Sequence, residues 1–495
     1  FGQGDNARAI TMPKRPGEER SDAFMAEVRG LNDQFFKWAS RQHSSSSDKL
    51  WDAGLRDYLR YADKLRSDFS DVLAGAGQND SVLEGGNIFV FGQGDNAQLG
   101  LGEDVIEAPT ATLLPMAGVR VTQIACGGMH TLALCEGGAV YSWGVNDEGA
   151  LGREARGGQL ALTEGETQGS ESIPEMVEFP NREKMTAVSA GDSHSVALSS
   201  NGTIFAWGIF RDSSGKFGFS PTVQTQTTPQ QVALGLGEKC IEIASGNDHV
   251  LALTRSGKVF SWGCAEQGRL GRLQESMTDQ KQFKGDKQKW KESLLIPAPV
   301  EGLPNIIHVA CGSYHSFAIS SSNDDVYGWG LNQYGQVALE PEGPFFFPQK
   351  VSSLSGRHVK KLAGGEHHSL ALTEAGEVLS FGRPTYGRLG RTDISPDKDD
   401  RHWKPGKVSG LTGEVRWVAA GLAVSGAITR KGTAFTWGSG DSGLLAKGED
   451  ESDNLQPQLV PHLQGRAIAI EFGGQHGSLL VCQDTNEVPP AKRRR

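Results

Sequence analysis

The sequence predicts an all-β protein, a seven-bladed β-propeller preceded by a small helical hairpin. Three observations carry that expectation. Glycine is abundant, 65 of 495 residues, nearly twice its usual share, as suits a chain of strands joined by many tight turns. An aromatic and β-branched strand ending in glycine recurs seven times. From Ser21 to Leu73, by contrast, glycine nearly vanishes and apolar residues fall at helical spacing.

The recurring strand reads IFVFG, VYSWG, IFAWG, VFSWG, VYGWG, VLSFG and AFTWG, ending at Gly92, Gly144, Gly208, Gly263, Gly330, Gly382 and Gly438. Their separation is roughly 52 to 67 residues, the length of one propeller blade. A second signature alternates with it: ACGGMHTLALCEGG, SAGDSHSVALSSNG, ASGNDHVLALTRSG, ACGSYHSFAISSSN, AGGEHHSLALTEAG, AAGLAVSGAITRKG and FGGQHGSLLVCQDT. Small residues there admit close backbone approach before an apolar strand runs into a turn. A lone four-stranded sheet cannot bury both faces, whereas seven packed radially can, leaving only short edges. The propeller is therefore expected from Asn87 to Gln483.

The formal charge of -10 and pI near 5.7 argue against a broadly basic surface wrapping nucleic acid and favour a basic protein partner. Cys126, Cys135, Cys240, Cys264, Cys311 and Cys482 are scattered without a CxxC pair, and read as buried reduced thiols rather than disulfides or zinc ligands. No secretory signal and no bilayer-length apolar run is found, so the Asn201-Gly202-Thr203 sequon reads as a turn. His130, His194, His249, His315, His368 and His476 occupy one repeated position, with Val424 in the remaining copy. Radial repetition holds them too far apart to share a metal, so they read as structural groups satisfying blade backbone.

Paired signatures GGxxH and xxWGxNxxGQLG in seven copies resemble the regulator-of-chromosome-condensation family, guanine-nucleotide exchange factors for the small GTPase Ran. The likeness covers about four fifths of the chain and extends to blade-specific stretches: GQGDNAQLGLGE, GGMHT, NDEGALGR, SAGDSH, WGIFRDSSG, ASGNDH and GRPTYGRLG. Plant ultraviolet-B receptors share the scaffold without those variations. The resemblance implies a nuclear, chromatin-associated protein that releases GDP by binding the nucleotide-free GTPase most tightly, without bond chemistry. No GK-Ser/Thr phosphate loop occurs, so the chain itself is expected to hold no nucleotide and no cofactor.

Residues common to every repeat are structural, so departures from the repeat are the candidates for function. Asp192, Asp248 and His367 stand out in short polar turns at strand entries, on what a propeller makes one rim. Read alone, Asp192 and Asp248 suit Asx turns to their own backbone. The family resemblance instead assigns Asp192, Asp248 and His367 to exchange and places Asp95 on the same GTPase-binding face. An acidic rim would complement a basic partner. FRDSSGK (Phe210, Arg211, Asp212, Ser213, Ser214, Gly215 and Lys216) interrupts the third repeat. Alone it is an exposed hairpin; in the family the insertion is a wedge pushed into the GTPase. Ser213 and Ser214 stand where relatives have asparagines, and an acidic residue found downstream there is missing from KFGFSPTVQ.

The fourth repeat carries MTDQKQFKGDKQKWKESLL, with Lys281, Lys284, Lys287, Lys289 and Lys291 around Trp290. It reads as a charged solvated loop, or by resemblance as the loop that docks on the acidic patch of the histone dimer in the nucleosome. Relatives anchor there with arginine; lysine lacks the planar fork. The tail Lys492, Arg493, Arg494 and Arg495 suits nuclear import, DNA contact or solubility.

Domain limits follow: a junction at 1–20, a helical segment at 21–74, a linker at 75–86, the propeller at 87–483 and a basic tail at 484–495. The pattern LNDQFFKWASRQH followed by LWDAGLRDYLRYADKL resembles the helical region of a nuclear-basket nucleoporin that binds importin-α and the exchange factor. That implies a fusion in which a partner's segment docks in cis, with a link to the nuclear pore; an ordinary solubilising hairpin is the alternative. FGQGDNA occurs twice, at Phe1 and at Phe91. The second copy sits inside a full blade signature, so Asp95 is expected to be functional and Asp5 not. The competing class is a non-catalytic propeller scaffold on chromatin or other proteins.

Overall fold

The computed structural model describes residues 85–482, apart from 117–118, 156–169, 236, 323, 397, 399 and 464. The helical segment at 21–74, the first FGQGDNA with Asp5, and the tail Lys492–Arg495 lie outside the described residues. Seven four-stranded antiparallel sheets form the blades, and one two-stranded hairpin stands apart from them. Blade 1 joins the two ends of the described chain: Asn87–Gln93 pairs with His476–Cys482, Val90 opposite Ser478. The ring is thus closed by hydrogen bonds between strands far apart in sequence.

Each blade runs outward from an inner strand. In blade 3 these strands are Met185–Ala190, His194–Ser199, Ile204–Gly208 and Gln226–Val232. Every residue of His194–Ser199 is buried, as is every residue of the equivalent strand HVLALT in blade 4. A strand covered on both faces needs an unbroken apolar or small run, and alternation disappears. Outer strands face solvent and need protection against pairing with other chains. Six of the seven carry a proline, at Pro109, Pro229, Pro299, Pro348, Pro405 and Pro457. Proline removes a ladder donor where an edge would otherwise be open.

Two side-chain devices join blade to blade. The indoles of Trp143, Trp207, Trp262, Trp329 and Trp437 are fully or almost fully buried. In blades 1, 2, 4 and 6 a turn glycine receives the next blade's indole: a Cβ on Gly100 would lie 2.7 Å from Trp143, and one on Gly271 2.6 Å from Trp329. The second device is the histidine. Nε2 of His130, His249, His315 and His368 meets the hydroxyl of Ser195, Ser316, Ser369 and Ser425 on the next blade, each at 2.8 Å, and His476 meets Thr131 at 2.7 Å. Those serine hydroxyls donate onward to backbone carbonyls, such as Ser369 to Gln336 at 2.8 Å. The serine must therefore accept, and the ring must donate from Nε2. The expected structural role holds, but the partner is a neighbouring blade's hydroxyl rather than backbone.

The pattern fails in two places, and each failure is local. His194 faces Val250 where the others find a hydroxyl, and packs instead on Phe210, ring centroids 4.6 Å apart. In the copy with Val424 the facing residue is Gly477, and Phe91 fills the space: a Cβ there would lie 2.4 Å from its ring. None of the six cysteines is in a disulfide, and burial pushes thiols such as Cys135 and Cys240 up to about 12.

Candidate functional site

The loops between first and second strands form one rim, stitched by backbone hydrogen bonds from blade to blade. Gly128 donates to Gly191, Asp192 to Asn247, Asn247 to Ser313 and Ser313 to Gly365, at 2.8 to 3.2 Å. Asp192 and Asp248 therefore stand on adjacent blades. His367 lies two blades further on, between the rings of Tyr314 and Tyr334, with centroids 6.3 and 5.1 Å away. Asp95 is exposed on blade 1 and accepts from Asn96 and Gln98 within its own turn.

Asp248 does not make an Asx turn. Its Oδ1 accepts the backbone amide of Arg211 at 2.7 Å, so a blade 4 carboxylate holds the base of a blade 3 hairpin. Burial raises its carboxyl from 3.8 to about 7, partly offset by that hydrogen bond and by Arg269, with Asp192 adding to the rise. Asp192 is half-buried, and Ser193 donates to it at 3.3 Å. Burial also lowers the imidazole of His367, against the opposing charge of Glu366.

FRDSSGK folds as the hairpin Phe210–Asp212 and Gly215–Gly218. Ser214 donates its amide to Asp212 Oδ1 at 2.8 Å, and Gly215 takes φ 112°, so the turn follows from Asp and Gly in their places. Three carboxylates tie it down. Asp248 holds the base. Glu148, from blade 2, pairs with Lys216 at 2.9 Å. Glu266, from blade 4, receives the amide and hydroxyl of Ser213, the latter at 2.5 Å. Phe210, expected among the partner-facing residues, is fully buried against His194 and anchors the hairpin instead, because its side chain fills the gap left beside Val250.

The rim is mixed in charge rather than acidic. Arg269 and Arg388 are buried there, with guanidinium groups 4.9 Å from the Tyr314 ring centroid and 5.3 Å from that of Tyr386. Sequence reading singled out none of Glu148, Glu266, Tyr314 or Tyr334. Each sits at a variable position of its repeat, where the repeat-breaking criterion could have found it.

The insertion of the fourth repeat is not a plain solvated loop. It forms two 3-10 turns, Glu275–Thr278 and Gln280–Phe283, and a helix α1, Lys287–Leu295, capped by Asp286, which accepts the Lys289 amide at 3.1 Å. Leu294 and Leu295 are buried, while Lys281, Lys284 and Lys287 remain exposed.

Seven radial blades with repeat-specific groups gathered on one rim define an RCC1-like propeller. The family model for the RCC1-like domain matches residues 87–479. The mouse regulator of chromosome condensation is 37% identical over 409 residues, covering 80% of this chain and 91% of that protein. The guanine nucleotide exchange factor SRM1 of Saccharomyces cerevisiae is 32% identical, covering 79% and 86%. The crystal structure of Prp20p from the same yeast, described with its binding to Gsp1p and histones, superposes with TM-score 0.71 at 30% identity, covering 82% of this chain and 93% of that one. The chain belongs to the regulator of chromosome condensation family.

Proposed function

We propose that this protein is a guanine-nucleotide exchange factor for the small GTPase Ran, acting in the nucleus at chromatin. The observation that carries the reading is the hairpin Phe210–Gly218 standing on the rim that bears Asp192, Asp248 and His367, with Asp248 bonded to its base. A projecting element held by three neighbouring carboxylates can enter a partner without losing its shape, so little ordering cost is added on binding. The exposed Ser213 and Ser214 and the half-buried Arg211, Asp212 and Gly215, with Asp95 on the same rim, are the GTPase-facing set. Exchange then needs no bond chemistry: the rim binds the nucleotide-free GTPase more tightly than the loaded one, and GDP leaves faster.

Two further contacts complete the proposal. Lys281, Lys284 and Lys287 offer an exposed cationic patch suited to the acidic face of a histone dimer, and Lys492–Arg495 to DNA or an import receptor. Residues 21–74 supply a nucleoporin-like segment that docks in cis. The decisive experiment loads Ran with a fluorescent GDP and adds catalytic amounts of the full chain. Release accelerated at least tenfold supports exchange; unaltered release leaves a chromatin scaffold. Deleting residues 1–82 and finding unchanged amide protection over the propeller would reject docking in cis.

A further inference from the structure

The hairpin has a support that neither the repeat pattern nor the exchange reading supplies. Its register pairs Phe210 with Gly218, Arg211 with Lys216 and Asp212 with Gly215, leaving Phe217 as the extra residue of a bulge. A bulged residue loses its place in the ladder, and here its carbonyl is turned to α1. Lys291 Nζ donates to that carbonyl at 2.5 Å and lies 5.4 Å from the centroid of the Phe217 ring. Trp290 meets the same ring edge-on, centroids 5.0 Å apart, and its indole N–H donates to Thr278 at 3.1 Å, closing the insertion on itself. Leu294 and Leu295 share one buried cluster with Phe210, Phe217 and Phe219.

A short hairpin alone is at best marginally stable in water, so the direction it points in is set by what lies beneath it. Gly218 takes φ 139°, and a Cβ there would sit 3.1 Å from Lys291 Nζ. Glycine at that position is what lets the ammonium reach the carbonyl.

We propose that Trp290 and Lys291 are positioning residues for nucleotide exchange, holding the bulged strand of the hairpin at the angle at which it meets the GTPase. This rests on the exchange reading and extends it to the insertion of the fourth repeat. The insertion thus has an inner face that serves the hairpin, distinct from the exposed lysines Lys281, Lys284 and Lys287.

The test uses the full chain and two readouts. Lys291→Met keeps the aliphatic stem and removes the donor. It should lower kcat for release of fluorescent GDP from Ran about tenfold, as a small misplacement of a working element does. KM should stay within about twofold, because the contact surface is intact. Amides of residues 210–219 should exchange faster with solvent while the blades keep their protection, and Lys291→Arg should restore both readouts. Trp290→Phe, which keeps a ring against Phe217, should give a milder loss of kcat. Wild-type kcat in Lys291→Met overturns the proposal, as does unchanged protection of 210–219. Should the unsubstituted chain fail to release GDP, the exchange reading falls. Hairpin protection in Lys291→Met would then decide the anchoring alone, its loss supporting the anchor and its retention overturning it.

Discussion

Asp248 crosses a blade boundary to accept the Arg211 amide at 2.7 Å, so the hairpin of blade 3 is held by a carboxylate of blade 4. Anchoring and partner contact are separable at this residue. Asp248→Asn keeps an oxygen acceptor, and amide exchange over 210–219 should stay slow; Asp248→Ala should speed it. Burial raises this carboxyl to about 7 against an ordinary 3.8, so folding favours the protonated form. The ionised group therefore costs stability as pH rises from about 4 through 7. Asp248→Asn should accordingly be more stable than the parent at pH 8, by about 1–3 kcal/mol, and close to it at pH 4, read from urea midpoints.

The histidine interlock predicts a pair of opposite effects. Ser369→Ala leaves the Nε2–H of His315 without its 2.8 Å partner in a dry space between blades, and should cost about 1–3 kcal/mol. Val250→Thr is nearly isosteric and brings a hydroxyl to His194, whose ring nitrogens lack a hydrogen-bond partner, so it should stabilise by about 1 kcal/mol. Equal midpoints for Val250→Thr and the parent would mean that Phe210 already satisfies His194 by packing.

Most of the blade architecture was legible because a repeat states its own period. Seven glycine-ended strands fixed the blade count, and position-by-position comparison separated the shared histidines from Asp192, Asp248 and His367. What a repeat cannot state is which neighbour a side chain reaches. Glu266 and Ser213 are 53 positions apart, while Lys291 and Phe217 are 74 apart and both lie in segments with no repeat equivalent. Their meeting depends on how two insertions fold against each other. Lysines dominate the composition of helix α1 and give it the look of a loop, although Asp286 as N-cap and Leu294–Leu295 near the end mark a short helix. The edge prolines mark an edge only once strand order is given, which the repeat spacing does not supply.

Acid should destabilise the propeller through its histidines. Burial lowers His194, His315 and His476 to about 3 and His130 to about 4, against 6.5 when exposed. These rings stay neutral in the folded chain, whereas the unfolded chain takes up protons below 6.5. Their contribution is whole above that value and is lost as pH falls toward 3 to 4. Each such ring removes about 1.4 kcal/mol per pH unit over that window. The carboxyls of Asp248, Glu471 and Glu171, which burial raises, act in the opposite sense but are outnumbered by the six buried rings. Urea midpoints at pH 7, 6 and 5 should fall progressively, and His315→Gln, with one titrating ring fewer, should flatten the slope even though its stability at pH 7 is lower.

The hairpin tip offers a charge-exchange test. Ser213 gives both its amide and its hydroxyl to Glu266, and the residue is exposed, so a substitution there should disturb little else. Ser213→Asp puts a second carboxylate against Glu266, and two like charges at hydrogen-bond distance repel. The tip should detach, the amides of 212–216 should exchange faster, and GDP release from Ran should slow. Global stability should change by no more than about 0.5 kcal/mol, because the site lies outside the core. Adding Glu266→Lys to Ser213→Asp restores an attractive pair with reversed polarity. If the double substitution recovers tip protection and release together, the tip acts through its attachment to blade 4. If protection returns without release, the Ser213 side chain itself meets the GTPase.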